Sequence, residues 1–210
     1  VRAGTKPRTA LGAGSIERAI VLQLVQQVSH NINIVGSNDE SAVCNALDPA
    51  KDIDGITRGS LATLLAGSGE GFAPCTAAAC MDILDHYGID LEGKKAVVLG
   101  RSLVIGKPVS LMLLACNATV TVCHSRTQDL PGAVSDADIV VCATGRARAY
   151  GADLFAPGQI VLDVGINFDE QGNLCGDADF DAVEPIVSAI TPVPRAPHST
   201  RDTPSPSIRS

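Results

Sequence analysis

The 210-residue sequence predicts an α/β fold, a doubly wound parallel sheet, on three observations. Short aliphatic runs recur at 94–100, 118–124, 137–145 and 159–167. Helix-forming stretches alternate with them. Between the first run and its helix, VVLGRSLVIGKP (97–108) passes from an apolar strand through a glycine turn. Strands and helices in alternation imply parallel strands covered on both faces.

Each element has its own signal. The stretch 15–30 has mixed periodicity and reads as a helix or a buried strand, 31–39 as a turn, and 41–47 as a short helix stopped by Asp48-Pro49. Polar KDIDG (51–55) precedes GSLATLLAGSGEGFAP, read as loop for its Gly and Ser. Thr76 is placed to cap a helix over TAAACMDILDHY, with Ala79, Ile83 and Leu84 on its inner side and Gly88 as the stop. KKAVVLG (94–100) is a buried strand, KPVSLMLLACN (107–117) a helix with Pro108 in its first turn, and ATVTVCH (118–124) the second strand. A short helical piece near 130–136 leads to strand ADIVVCATG (137–145); QIVLDVGIN (159–167) is the fourth strand and AITPVP (189–194) begins a fifth. The last sixteen residues, RAPHSTRDTPSPSIRS, hold three Pro and four Ser and predict a disordered tail over 195–210.

Composition narrows the function. With 45% hydrophobic but only 3% aromatic residues the core is aliphatic, and a net charge of −7 argues against nucleic acid as a partner. No apolar run approaches the roughly 20 residues needed to span a bilayer, which argues against a membrane partner. The chain starts at Val1 without an initiator Met and reads as beginning inside a longer protein. Seven cysteines (44, 75, 80, 116, 123, 142, 175) form no CxxC pair, so reduced thiols are expected and no metal site. Cys116, Cys123 and Cys142 lie in aliphatic runs as small hydrophobes, and Cys75 and Cys80 read as structural or substrate-adjacent.

The turn at 97–108 resembles two phosphate motifs and matches neither. Five residues, not a P-loop's four, separate Gly100 from Gly106, and Ser102 stands where the dinucleotide fingerprint has its second Gly. Its setting, after one strand and before a helix and a second strand, is that of a dinucleotide site with the pyrophosphate at the helix N-terminus. The second strand ends in His124-Ser125-Arg126-Thr127 without the carboxylate that binds the ribose hydroxyls of NAD, while Arg101 follows the first strand. Arginine suits a 2′-phosphate, so the cofactor expected is NADP. Polar loop residues of any doubly wound domain would look similar.

These residues also carry a family resemblance. The run 97–127, with PAKDIDGITRGSL (49–61), GFAPCTAAACMDIL (71–84), ADIVVCATG (137–145), GQIVLDVGIN (158–167) and ITPVP (190–194), resembles the methylenetetrahydrofolate dehydrogenase/cyclohydrolase family over about 41–194. The resemblance implies a partial folate-binding and catalytic domain at 1–85, itself α/β, and an NADP-binding domain at 86–194. It also implies a reaction in one-carbon metabolism. 5,10-Methylenetetrahydrofolate gives a hydride to NADP, and the methenyl product is hydrolysed to 10-formyltetrahydrofolate. Tetrahydrofolate derivatives would be the partners, in a cytoplasmic homodimer. By position, Asp54 matches the carboxylate that bonds the pterin, and Pro74, Cys75 and Thr76 match the cleft lining. Gly100, Arg101, Ser102, His124 and Ser125 match the phosphate-binding side; Gly145, Gly165, Ile166 and Asn167 match the nicotinamide side; Gln23 matches the partner of the catalytic Lys.

Three departures stand against this pattern. The family's Tyr-x-x-x-Lys motif is missing, since neither Tyr87 nor Tyr150 has a Lys four residues later. Without that lysine the hydrolase step is expected to fail and the dehydrogenase step to weaken. The segment VLQLVQQVSHNINIVGSNDE (21–40) lacks the family's prolines, and after Pro194 the family's glycine loop gives way to the Ser/Pro tail. Such a switch suggests the hypothesis of a reading-frame change in the source gene; translating the other two frames beyond codon 194 and finding no glycine loop or apolar helix would sink it. The alternatives are a non-catalytic NADP-binding remnant of the family and, more distantly, an unrelated NADP oxidoreductase.

Overall fold

A computed structural model describes residues 52–67 and 71–193. Helix α1 covers Arg58–Ala66 and α2 Cys75–His86; then follow β1 (Lys95–Leu99), α3 (Gly106–Ala115), β2 (Thr119–Cys123), α4 (Leu130–Ser135) and β3 (Ile139–Cys142). A 3₁₀ turn at Ala152–Leu154, β4 (Ile160–Asp163), a hairpin of β5 (Asn167–Phe168) and β6 (Leu174–Cys175), α5 (Phe180–Val183) and β7 (Ala189–Ile190) complete the described chain.

The predicted doubly wound sheet is present. Five strands run parallel in the order β2-β1-β3-β4-β7, with Leu99 opposite both Cys123 and Cys142, and Cys142 opposite Asp163. Strand side chains alternate between faces. Val97, Leu99, Val140, Cys142 and Val161 therefore meet Val134, Leu154, Phe155 and Val183 on one face. Ala96, Val98, Ile139, Val141 and Leu162 meet Val109 and Leu113 of α3 and Ala77, Cys80 and Leu84 of α2 on the other. Helix α2 thus shares the sheet's core although all but its last residue lie before residue 86.

Several local expectations are corrected. Residues 58–66 form a helix, not a loop: the Thr57 hydroxyl accepts from the Ser60 amide, and Gly67, at φ 67°, closes the end. The Leu and Ala between Gly59 and Gly67 outweigh the Gly and Ser that suggested a loop. Thr76 caps nothing; it lies inside the first turn of α2, whose N-cap is Pro74 without a side-chain bond. The inner stripe of α2 is Ala77, Cys80 and Leu84: Leu84 is as expected and Ile83 packs partly buried at its side, whereas Ala79 is only half-buried. β2 is an edge strand whose side chains are largely exposed, so it is not buried on both faces. Cys116 is exposed at the end of α3, while Cys80, Cys123, Cys142 and Cys175 are buried free thiols. The hairpin, the 3₁₀ turn and α5 had no sequence signal. The predicted features at 1–47 and the tail at 195–210 lie outside the described residues.

Candidate functional site

The strand order reverses between β1 and β3, because the chain goes outward to β2 and then returns across β1. The loops leaving the carboxyl ends of β1 and β3 part there, and such a crevice is where doubly wound sheets take their ligands. Gly100 follows β1 with φ 119°, a conformation open to glycine, and a Cβ on it would collide with the Ala143 carbonyl. A Cβ on Gly106 would collide with the carbonyl of Gly100. Turn, helix and the end of β3 are therefore pressed together through backbone, at two buried glycines that leave no room for a side chain.

Ser102 ties the turn to the start of α3. Its Oγ accepts from the Ile105 amide at 3.1 Å and the Gly106 amide at 3.3 Å, and its carbonyl accepts from the Lys107 amide at 3.0 Å. Pro108 has no amide hydrogen. The first-turn amides of α3 thus already have acceptors within the chain. What the turn offers instead is the Ser102 hydroxyl hydrogen, for which no acceptor stands among the described residues, and the exposed Arg101 guanidinium.

Next to it, Gly100 donates to the Cys123 carbonyl at 2.8 Å, which sets the start of the first turn against the end of β2. The His124 amide donates to Thr127 Oγ1 at 2.9 Å and His124 Nδ1 accepts from the Arg126 amide at 3.1 Å, folding His124–Thr127 into a tight turn. Ser125 and Arg126 project into solvent. The carboxylate next in the chain, Asp129, is turned away to cap α4, accepting from the Gly132 amide at 3.0 Å.

Across the crevice, Gly145 is exposed at φ 67° with open space around it. Gly165 is buried against the Asp177 carboxylate, which its missing Cβ leaves room for, and Ile166 and Asn167 are half-buried beyond β4. Two buried carboxylates organise this side, and sequence reading missed both. Asp163, the last residue of β4, accepts from the amides of Gly165 (3.0 Å), Asp177 (3.0 Å) and Ala178 (2.8 Å). Burial nevertheless pushes it up to about 6, against those hydrogen bonds and with a smaller push from Asp177. Asp163 ends the apolar run IVLD, where a charge inside a buried strand was the available signal; Asp177 in GDAD looks like any turn residue.

The residues expected on the folate side also come together. Gly55 turns the chain at φ 64°, and a Cβ there would meet the backbone of Phe72, Ala73 and Pro74. This sets Asp54 beside α2: Cys75 Sγ lies 3.2 Å from the Ile53 carbonyl and 3.6 Å from Asp54 Oδ1. Burial first, and the Asp54 charge second, push the Cys75 thiol up to about 11, so it remains protonated. Asp52, unremarked in the sequence, holds the turn by accepting from Ile56, Thr57 and Ser60 Oγ. Burial opposes its charge, but these bonds prevail and hold its carboxyl below the ordinary value. Thr76 is half-buried one residue along α2, and Gln23 lies outside the described residues.

Among the described residues no cluster of His, Cys, Asp and Glu is arranged to hold a metal ion, and no helix is long and apolar enough to cross a membrane. Residues 74–197 match the family model of the tetrahydrofolate dehydrogenase/cyclohydrolase NAD(P)-binding domain. The bifunctional protein FolD of Carboxydothermus hydrogenoformans is 53% identical over 158 residues, 74% of this chain and 55% of that protein. The crystal structure of the FolD methylenetetrahydrofolate dehydrogenase/cyclohydrolase of Campylobacter jejuni superposes with a TM-score of 0.72 at 41% identity, over 74% of this chain and 55% of that one. The Trypanosoma brucei enzyme, solved with NADP and an inhibitor, gives 0.68 at 36% identity, over 74% and 56%. The chain therefore spans about 55% of the length of the curated relatives it matches.

Proposed function

The chain belongs to the tetrahydrofolate dehydrogenase/cyclohydrolase family, and from that premise we propose that it binds NADP across the carboxyl edge of its sheet. The observation that carries this reading is the pairing of exposed Arg101 with a β2 end that has no carboxylate facing the ribose, Asp129 being engaged at α4. Arg101 and Ser125 would grip the 2′-phosphate, with His124 shaping the turn beside them. Gly100 would set the turn at the pyrophosphate, and Ser102 would donate its hydroxyl hydrogen. Gly145 and Ile166 line the nicotinamide side. The exposed Arg101 and the Ser102 hydroxyl at the end of β1 fit such a ligand.

For the family reaction, the whole enzyme would oxidise 5,10-methylenetetrahydrofolate and hydrolyse the methenyl product, and this chain supplies one side of that cleft. Bound NADP supplies the hydride acceptor. Asp54 would accept hydrogen bonds from the pterin, and Pro74, Cys75 and Thr76 would wall the folate; the protonated Cys75 packs and does not attack. Gln23 is the counterpart of the family's lysine partner. Residues 86–194 form the nucleotide-binding part and residues 1–85 part of the folate-binding one, with α2 shared between them through the sheet's core. A cytoplasmic homodimer is the assembly the family implies. One observation favours a binding-only chain: neither of its two tyrosines begins a Tyr-x-x-x-Lys motif.

The thermal midpoint of the purified chain with NADP, with NAD and with neither tests the cofactor reading. At 100 times Kd the ligand contributes ~2.7 kcal/mol. For a chain of this size that raises the midpoint by roughly 5–10 °C. A shift with NADP alone is expected; a cooperative transition indifferent to both nucleotides would overturn the proposal.

A further inference from the structure

We infer that Asp177 is a positioning residue for the nicotinamide half of the dinucleotide, an inference that rests on the NADP reading above. Asp177 is completely buried where the β5–β6 hairpin leads into α5. One of its oxygens accepts from the Thr144 amide, from Thr144 Oγ1 at 2.9 Å and from the Gly145 amide at 3.1 Å. The other accepts from the Arg146 amide and Asn167 Nδ2, both at 2.9 Å. Five donors exceed the roughly four lone-pair sites of one carboxylate, so they leave it no free acceptor.

Those donors come from two different strand ends. Thr144, Gly145 and Arg146 leave β3, and Asn167 lies just beyond β4. A single side chain therefore fixes the relative position of the two loops bordering the crevice on its β3–β4 side. Asp163 fixes Asp177 in turn by accepting from its amide and that of Ala178. The clamp ends at the exposed, unobstructed backbone of Gly145, so a buried carboxylate sets the surface a ligand would meet. In a doubly wound sheet the adenosine half lies toward β1 and β2 and the other half beyond the switch point, toward β3 and β4. Among the described residues, none of Asp177's side-chain partners lies on the β1–β2 side.

This division makes the role testable. Replacing Asp177 with Asn keeps the shape but turns an NH₂ toward amide hydrogens, so bonds on one oxygen are lost. In the full chain carrying Asp177→Asn, calorimetric titration with NADP is compared with adenosine 2′,5′-bisphosphate, which lacks the nicotinamide. NADP affinity is expected to fall by about tenfold or more, and bisphosphate affinity to stay within about twofold. Hydrogen exchange at Thr144, Gly145 and Arg146 should accelerate. A merely structural residue would weaken both ligands alike, and that outcome overturns the inference. If Asp177→Asn does not fold, Asn167→Ala removes one bond and should weaken NADP alone, by about threefold. A wild-type chain that binds neither nucleotide overturns the cofactor reading and the positioning role with it. A wild type that binds both, beside variants that bind both equally well, overturns only the positioning role.

Discussion

Asp163 ends a strand of aliphatic residues, and burial of its carboxyl there works against its charge. Its folded-state value of about 6 lies above the 3.8 of an ordinary aspartate, so the folded chain binds that proton more tightly than the unfolded one. Protonation of this group therefore favours folding. Its contribution, on the order of 3 kcal/mol, is complete below the ordinary aspartate value and is lost as pH rises through about 6. Asp52 acts oppositely: its lowered carboxyl stabilises above the ordinary value and loses that effect only below it, outside this window. Denaturant titrations across this interval should show stability declining with pH in the wild type. Asp163→Asn, which cannot ionise, should flatten that decline; identical slopes in the two chains would sink the assignment. Arg101 carries a prediction about ligand choice. Arg101→Ala should weaken NADP about 10- to 100-fold, the value of charged hydrogen bonds, and leave NAD unchanged. An equal loss for both nucleotides would place the guanidinium away from the 2′-phosphate.

At the scale of elements, the parallel strands were readable because each is a short aliphatic run bounded by Gly or polar residues. The helix over 58–66 was not, because the signals at its ends, Thr57 and Gly67, lie among so many Gly and Ser that the whole stretch looks like loop. Edge placement of β2 was equally hidden: TVTVC has the residues of a central strand, and its exposure follows from strand order, which no local pattern encodes. The site shows the same division. Arg101 and Ser102 stood out through the glycine turn, whereas Asp177 works through loops that meet only in the folded sheet. Helix α2 links the two halves of the chain. Leu84 is fully buried among Val98, Leu113 and Ile139, so Leu84→Ala should cost about 2–5 kcal/mol in chemical denaturation. A chain begun at residue 86 would expose that face of the sheet and should unfold at lower denaturant than one begun at residue 71. Equal midpoints would show that the sheet does not need α2.

For the molecule as a whole, binding and turnover make different demands. A dinucleotide needs one sheet edge, and the loops after β1, β2, β3 and β4 that form it all lie within the described residues. Turnover needs a second wall carrying the acid–base group; among the described residues that side shows Asp54 and the start of α2, and no Tyr-x-x-x-Lys motif occurs in the 210 residues. Water activation and proton transfer by a positioned side chain are worth about 10²- to 10⁴-fold. The purified chain should therefore retain NADP affinity while hydrolysing methenyltetrahydrofolate no faster than buffer does. Stopped-flow absorbance on the folate, with the chain saturated in NADP, checks this directly. Hydrolysis above the buffer rate would mean that a group within these residues replaces the lysine, and Asp54→Ala and Gln23→Ala would be the first variants to locate it. Hydride transfer is the subtler case, because proximity alone accelerates it when donor and acceptor are held in line. Slow NADPH formation without hydrolysis would then show that the edge built around Arg101, Gly145 and Asp177 is sufficient to orient the cofactor, and that the missing lysine belongs to the water chemistry.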